Sequence, residues 1–186
     1  TVTGTDLLCN GDGDGTTDLT VVGGTTPYTY NWNTTTQTDS FITGLNVGTH
    51  NVTITDAFGC TATNSVTLAQ PTPIIATFTP INISCKDGND GAATVAVTGG
   101  AGNYTYEWSN NNQTTTATNL SVGWHQITIT DASGCVLVDS VLLTEPTAIS
   151  LMLSAVEVNC HNGIDGTAMV LASGGVGGFN YLWNTV

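Results

Sequence analysis

The stretch LNVGTHNVTITDAFGC, residues 45–60, returns as LSVGWHQITITDASGC at residues 120–135. In the second copy His125, Ile127 and Ile129 alternate with Gln126, Thr128 and Thr130. A period of two is the signature of a strand with one buried face. The closing Asp-x-x-Gly-Cys is turn chemistry, since Asp accepts backbone N–H bonds and Gly adopts conformations closed to other residues. One strand ending in one turn has thus been written twice.

Working outward, the whole chain repeats. Cys9 matches Cys85 and Cys160, and Gly23-Gly24 match Gly99-Gly100 and Gly174-Gly175. YTYNW (28–32) matches YTYEW (104–108) and FNYLW (179–183), while QPTPI (70–74) matches EPTAI (145–149). These matches divide the chain into repeat 1 (1–71), repeat 2 (72–146) and a partial repeat 3 (147–186), with a unit length of about 75 residues. Repeat 3 stops after its Trp183 strand, so it is expected to be half of a unit from a longer parent chain.

Composition agrees with strands. Threonine supplies 36 of the 186 residues, and Val, Ile, Asn and Gly are abundant. β-branched residues suit a pleated, half-buried surface, and the usual helix formers are scarce. Repeat 2 is expected to carry strands near 75–84, 92–98, 103–109, 113–118, 124–130 and 136–144. Short strands separated by turn signals predict an all-β protein, built as tandem immunoglobulin-like antiparallel β-sandwich modules arranged as a rod. The Trp of each YxYxW strand is its core anchor. His50 and His125 stand at the corner where such sandwiches usually place a tyrosine. Equivalent positions in two copies make packing or corner bonding their expected role, and His161 has no histidine counterpart.

Fourteen acidic residues face one basic residue, Lys86, for a net charge of −13. Such a chain has nothing to neutralise phosphates, which excludes nucleic acid and anionic membranes as partners. No apolar run approaches the roughly 18 residues that span a bilayer, so no membrane insertion by this segment is expected.

Five cysteines, at 9, 60, 85, 135 and 160, include no CxxC pair, which argues against zinc. Each complete repeat holds two, 51 and 50 positions apart. Four strands between them would return an antiparallel chain to the pole it left. The expected staples are therefore Cys9–Cys60 and Cys85–Cys135, with the partner of Cys160 outside this chain. Disulfides imply an oxidising, extracellular setting. The same parity gathers Asp12, Asp14 and Asp56 in repeat 1, and Asp87, Asp90 and Asp131 in repeat 2. These six carboxylates are calcium candidates, although none is required as a cofactor site if the Asp-Gly steps serve only as turns. Trp124, whose counterpart is Thr49, is a candidate ligand contact. No nucleophile-elbow signature is present, so no catalytic residue is assigned.

The order C-x-x-x-x-D-G, GG-x-x-x-Y-x-Y-x-W, L-x-x-G-x-H-x-[VI]-x-I-T-D-x-x-G-C resembles the repeats of SprB-type gliding-motility adhesins and related giant surface proteins of the Bacteroidota. The family pattern usually has Tyr where His50 and His125 stand. The resemblance implies secretion by the type 9 system, a place on the bacterial cell surface, and a role as the stalk of an adhesin fibre supporting adhesion and gliding. Its implied partners are extracellular surfaces or glycans and the secretion and gliding machinery. Scarce lysine leaves strand edges unguarded, so lateral self-association is a further expectation. The alternative is a calcium-dependent, glycan-binding array. Neither reading is an enzyme.

Overall fold

The computed structural model describes residues 1–184. Every regular element among them is a strand, as the threonine- and valine-rich alternation requires. Repeat 1 contains β1 (Val2–Thr5), β2 (Gly15–Leu19), β3 (Thr29–Trp32), β4 (Phe41–Leu45), β5 (Gly48–Thr55) and β6 (Thr61–Leu68). They form two three-stranded antiparallel sheets, ordered β1-β2-β4 and β3-β5-β6. This is the immunoglobulin order with one strand missing: the first, second and fifth strands in one sheet, the third, sixth and seventh in the other. The missing fourth strand is replaced by the irregular segment 33–40.

Repeat 2 has the same plan. Its strands are β7 (Ile75–Ile81), β8 (Gly91–Thr98), β9 (Thr105–Trp108), β10 (Thr116–Leu120), β11 (Gly123–Thr130) and β12 (Val136–Leu143). Their orders, β10-β8-β7 and β12-β11-β9, reproduce those of repeat 1. These bounds follow the expected strands closely, because the alternation is strict there. Repeat 3 contributes one antiparallel hairpin, β13 (Ser150–Val156) with β14 (Thr167–Ser173).

By contact density the chain forms two compact units. Unit 1 is Thr1–Ala76 with Val97–Thr105 and Ile129–Leu137, and unit 2 is Thr77–Ala96, Tyr106–Thr128 and Val138–Val186. Unit 1 thus holds all of repeat 1 together with the Gly-Gly turn and the Asp131–Cys135 turn of repeat 2.

The core of repeat 1 joins both sheets: Leu19, Ile42 and Leu45 from one, Trp32, Val52, Ile54 and Leu68 from the other. Alternation along β5 sends His50, Val52 and Ile54 inward. Trp32 is 3 % exposed, and its indole N–H donates to the Asp39 carbonyl at 3.1 Å. In repeat 2 Trp108 is 2 % exposed, donates to the Thr114 carbonyl at 3.0 Å and meets the Phe78 ring edge-on at 6.1 Å. The tryptophan therefore holds an irregular segment against the sheet as well as filling the core. Trp183 of the half-repeat is 52 % exposed, because no strands equivalent to β10–β12 cover it in the structure.

The histidines occupy the predicted corner. His50 Nε2–H donates to the Asn46 carbonyl at 2.9 Å, four residues upstream, and its Nδ1 accepts the Thr34 hydroxyl at 2.6 Å. His125 repeats the first bond, to the Ser121 carbonyl at 2.8 Å. Imidazole here makes the bond back to the chain that a tyrosine hydroxyl makes in other sandwiches of this order.

Among the described residues one core group is unpartnered. Thr17 on β2 is fully buried and its hydroxyl finds no hydrogen-bond partner. The equivalent residue of repeat 2 is Ala93. A buried hydroxyl without a partner costs on the order of 1–3 kcal/mol. Thr17→Val, close in shape, is expected to raise the unfolding free energy of the chain by about 1 kcal/mol in urea titration. A loss of stability would show that the hydroxyl has a partner in solution.

Candidate functional site: a stapled joint

The disulfide in the structure joins Cys9 to Cys135, with Cα atoms 5.6 Å apart and a sequence separation of 126. Cys60, Cys85 and Cys160 are free and exposed. The expected pairs Cys9–Cys60 and Cys85–Cys135 are therefore corrected: the staple runs from the first cysteine of repeat 1 to the last cysteine of repeat 2.

The reason lies in the direction of the strands. At the Cys9 end of repeat 1, Leu7 N–H donates to the Ala69 carbonyl and Gly11 N–H to the Gln70 side chain, both at 3.0 Å. Residues 69 and 70 follow Leu68, which pairs with Gly48. Cys60 instead precedes Thr61, which pairs with Thr55 at the other end of the same ladder. Seven steps of strand separate those ends, about 24 Å, whereas a disulfide needs Cα atoms within about 7 Å. Parity fails because β3 and β4 run the same way. β3 descends from Thr29, opposite Thr55, and β4 also descends, ending at Leu45 opposite Gly15. Segment 33–40 carries the chain back between them, adding a fifth pass to the four strands.

The same geometry separates the acids. Asp12 and Asp14 lie at the Cys9 end and Asp56 at the other, so the repeat 1 trio does not converge. Among the described residues no group of three or more His, Cys, Asp or Glu side chains is arranged to hold a metal ion. Four of the six carboxylates, those of Asp14, Asp56, Asp90 and Asp131, accept backbone N–H groups. Asp14 accepts the Leu8 N–H at 3.2 Å, Asp90 the Ser84 N–H at 3.1 Å, and Asp165 the Asn159 N–H at 3.2 Å. In each copy the Asp of Asp-Gly closes a loop on the amide six residues before it. That loop is the corner carrying the first cysteine. Asp87 lies in the corner of repeat 2, where its backbone adopts φ 61° and its carboxylate faces Lys86 at 2.5 Å.

Asp56 and Asp131 each build the turn that presents the last cysteine. Asp131 accepts the N–H groups of Ser133 at 2.9 Å, Cys135 at 3.0 Å and Ala101 at 2.8 Å. Asp56 accepts those of Phe58 at 3.0 Å, Cys60 at 2.8 Å and Thr25 at 3.1 Å. Gly59 and Gly134 take φ 84° and 85° in these turns, a left-handed conformation that favours glycine. Three backbone donors favour the charged carboxylate, so both groups are held below the usual carboxylate range, led by the Cys60 amide for Asp56 and the Ala101 amide for Asp131.

These pieces close into a ring within unit 1. Cys9 bonds to Cys135, whose turn is anchored by Asp131 to Ala101 in the Gly-Gly turn. Gly100 N–H donates to the Thr72 carbonyl of the linker at 2.9 Å. Asn10, beside Cys9, donates to the Pro71 carbonyl at 3.0 Å, and Gly11 holds Gln70. The linker is gripped from both sides. At Gly99 a side chain would run into the Pro73 backbone, so this glycine is required by close approach. The grips recur elsewhere: Asp87 N–H donates to the Glu145 carboxylate at 2.8 Å, and Gly175 N–H to the Thr147 carbonyl at 2.8 Å. Lys86 adds an ion pair to Glu145 at 2.6 Å, which holds that carboxyl below its usual range. Gln70, Thr72 and their counterparts Glu145 and Thr147 were visible in the sequence only as part of the QPTPI/EPTAI match. Trp124 lies on β11, 69 % exposed, while its counterpart Thr49 bonds the Thr67 hydroxyl at 2.9 Å. His161 is exposed in the corner loop of repeat 3.

Two outcomes follow from this geometry. A closed loop of this length restricts the unfolded chain by about 5 kcal/mol in the chain-entropy model. The Cys9→Ser/Cys135→Ser double variant should therefore lower the unfolding free energy by about 3–5 kcal/mol in denaturant titration. Acid acts through the two turn aspartates. Because their folded pKa values are depressed, their contribution is complete above the ordinary carboxylate pKa near 4 and is lost as pH falls below it. Melting temperature should stay level from pH 7 to 5 and drop below about pH 4. Asp131→Asn should be less stable at neutral pH, because it turns an amide donor toward a backbone N–H, and should show a shallower acid decline.

A family model of the SprB repeat matches residues 1–37, 77–113 and 153–186, which is the first half of each repeat and more than half of the chain. Among curated proteins, none matches the chain. Among solved structures, an amphioxus IgVJ-C2 molecule is similar at 16% identity over 77% of this chain and 96% of its own, with a TM-score of 0.30. The three family matches fall in register with the three cysteine corners, Gly-Gly turns and aromatic YxYxW-type segments described above, and the chain belongs to the SprB repeat family.

Proposed function

We propose that this segment is a structural stalk in an extracellular, cell-surface adhesin fibre of a bacterium, secreted through the type 9 system and supporting adhesion and gliding. The observation that carries the reading is the closed joint around Cys9–Cys135. Its polar groups are spent on fixing one repeat's corner to the linker and to the next repeat's turns. Tension on such a chain passes through the staple and bypasses the residues inside it. Extracellular surfaces or glycans and the secretion and gliding machinery are the partners this reading assigns to the whole protein, and it needs no catalytic residue or cofactor.

Trp124 favours a second reading. It is large, exposed and not needed by the fold at its position, so it is suited to stacking on a sugar ring in a glycan-binding array. On a glycan array the stalk reading expects no saturable binding, with or without millimolar calcium. Saturable binding abolished by Trp124→Ala would establish the second reading.

Single-molecule pulling from the two termini tests the stalk reading. Between Cys9 and Cys135 lie 126 steps of chain, which at about 3.4 Å per residue hide roughly 430 Å of contour length. The oxidised chain should extend without releasing that length, and a reductant should make it available. Release of the full length from the oxidised chain would overturn the stalk reading.

A further inference from the structure

The one lysine of the chain, Lys86, lies on no strand, so the end strands of the sheets lack a common guard against pairing with another chain. β6 and β12 are such end strands, as are β4, β7 and β10. β12 carries the greatest hazard, because VLVDSVLL is β-prone and its Val136, Val138 and Leu142 are exposed.

Backbone groups along these edges are nevertheless taken. On β5, Asn51 turns both of its groups toward β3: its carbonyl accepts the Asn33 N–H at 3.0 Å, and its N–H donates to the Asn33 side chain at 2.8 Å. Ser65 stands opposite Asn51, so the Ser65 N–H points away from β5, toward the free edge. There it donates to Oδ1 of its own neighbour, Asn64, at 2.9 Å. Repeat 2 makes the same bond with a different residue. Ser140 N–H donates to Asp139 Oδ1 at 2.7 Å, and Gln126, the counterpart of Asn51, turns its carbonyl to the Ser109 N–H at 2.9 Å.

Other end strands are treated alike. The Gln37 amide takes both groups of Thr43 on β4, donating to its carbonyl at 3.0 Å and accepting its N–H at 3.4 Å. An antiparallel neighbour would make that same pair of bonds. On β10 the Thr116 carbonyl accepts the Thr114 hydroxyl at 2.7 Å, and the Thr118 carbonyl accepts the Asn110 amide at 3.1 Å. β7 contains Pro80, which has no N–H to offer.

We propose that the free edges of β6 and β12 are strand-pairing surfaces for a second copy of this chain, held closed by Asn64 and Asp139. Gln37 and Asn110 close β4 and β10 in the same way. A second copy is the partner because strand addition needs only backbone groups and a matching outer row. β12 offers the same Val136, Val138 and Leu142 row in every copy. A partner strand would need the Ser140 N–H near the middle of that edge. While Asp139 holds it, the partner's carbonyl is buried without a donor, and the added strand is disfavoured. The lock is the side-chain oxygen and not the charge, since Asn64 does in repeat 1 what Asp139 does in repeat 2. This inference goes beyond the stalk reading and stands whether or not that reading holds.

The test compares the 186-residue chain, its free thiols alkylated, with Asp139→Val and Asp139→Asn by sedimentation, using circular dichroism to check the fold. Asp139→Val should raise the weight-average mass about twofold or more as β12 edges join. Asp139→Asn, which keeps the oxygen, should match the unaltered chain. In the unaltered chain, amide exchange should be slower at Ser65 and Ser140 than at Thr63 and Val138, whose N–H groups face the same edges. A folded Asp139→Val that stays monomeric would overturn the proposal. So would an Asp139→Asn that associates as Asp139→Val does, or Ser65 and Ser140 amides that exchange as fast as those neighbours. The exchange measurement needs no variant, and it decides alone if Asp139→Val does not fold.

Discussion

The joint depends on a reversal of the chain that forms no strand. Segment 33–40 returns the backbone between β3 and β4, so the first and last cysteines of repeat 1 stand at opposite ends of the sandwich. A bond inside that repeat is thereby excluded by distance, and the corner cysteine is left facing outward to a turn of the following repeat. The indole N–H of Trp32 holds the returning segment at Asp39, and Trp108 does the same at Thr114. The aromatic anchor of the core is thus also the device that sets where the cysteines point.

Around this constraint the polar residues are assigned to backbone. Recurrent Asp-Gly aspartates close the corners, and Asp56 and Asp131 form the cysteine turns and hold the Gly-Gly turns. A chain with 14 acids and one base would be strained by self-repulsion if its carboxylates were packed together. Asp14, Asp56, Asp90, Asp131 and Asp165 are instead distributed along turns, where backbone N–H groups satisfy them. Glutamine, glutamate and threonine in the linkers extend the same device to the segments that join repeats, through Gln70, Thr72, Glu145 and Thr147.

Much of this was legible in the residues. Strict alternation in 48–55 and 123–130 fixes strands, the repeated Trp marks the core, and Leu-x-x-Gly-x-His marks a corner in which histidine replaces tyrosine. What escaped was direction. The segment NTTTQTDS (33–40) has no apolar period, so nothing in it announces a complete traverse of the sandwich, and counting strands gave the wrong parity. The disulfide partners and the expected gathering of Asp12, Asp14 and Asp56 failed together, for that one reason. The linker grips were also hidden, because a backbone N–H held by a side chain about 60 residues away leaves only the short QPTPI/EPTAI match between copies.

The central claim is that covalent closure skips from one repeat to the next. Proteolysis of the folded, alkylated chain without reduction, with mass-spectrometric identification of linked peptides, tests it most directly. The account predicts a single linked pair containing Cys9 and Cys135, with Cys60, Cys85 and Cys160 alkylated. Linked pairs of Cys9 with Cys60 and of Cys85 with Cys135 would contradict it.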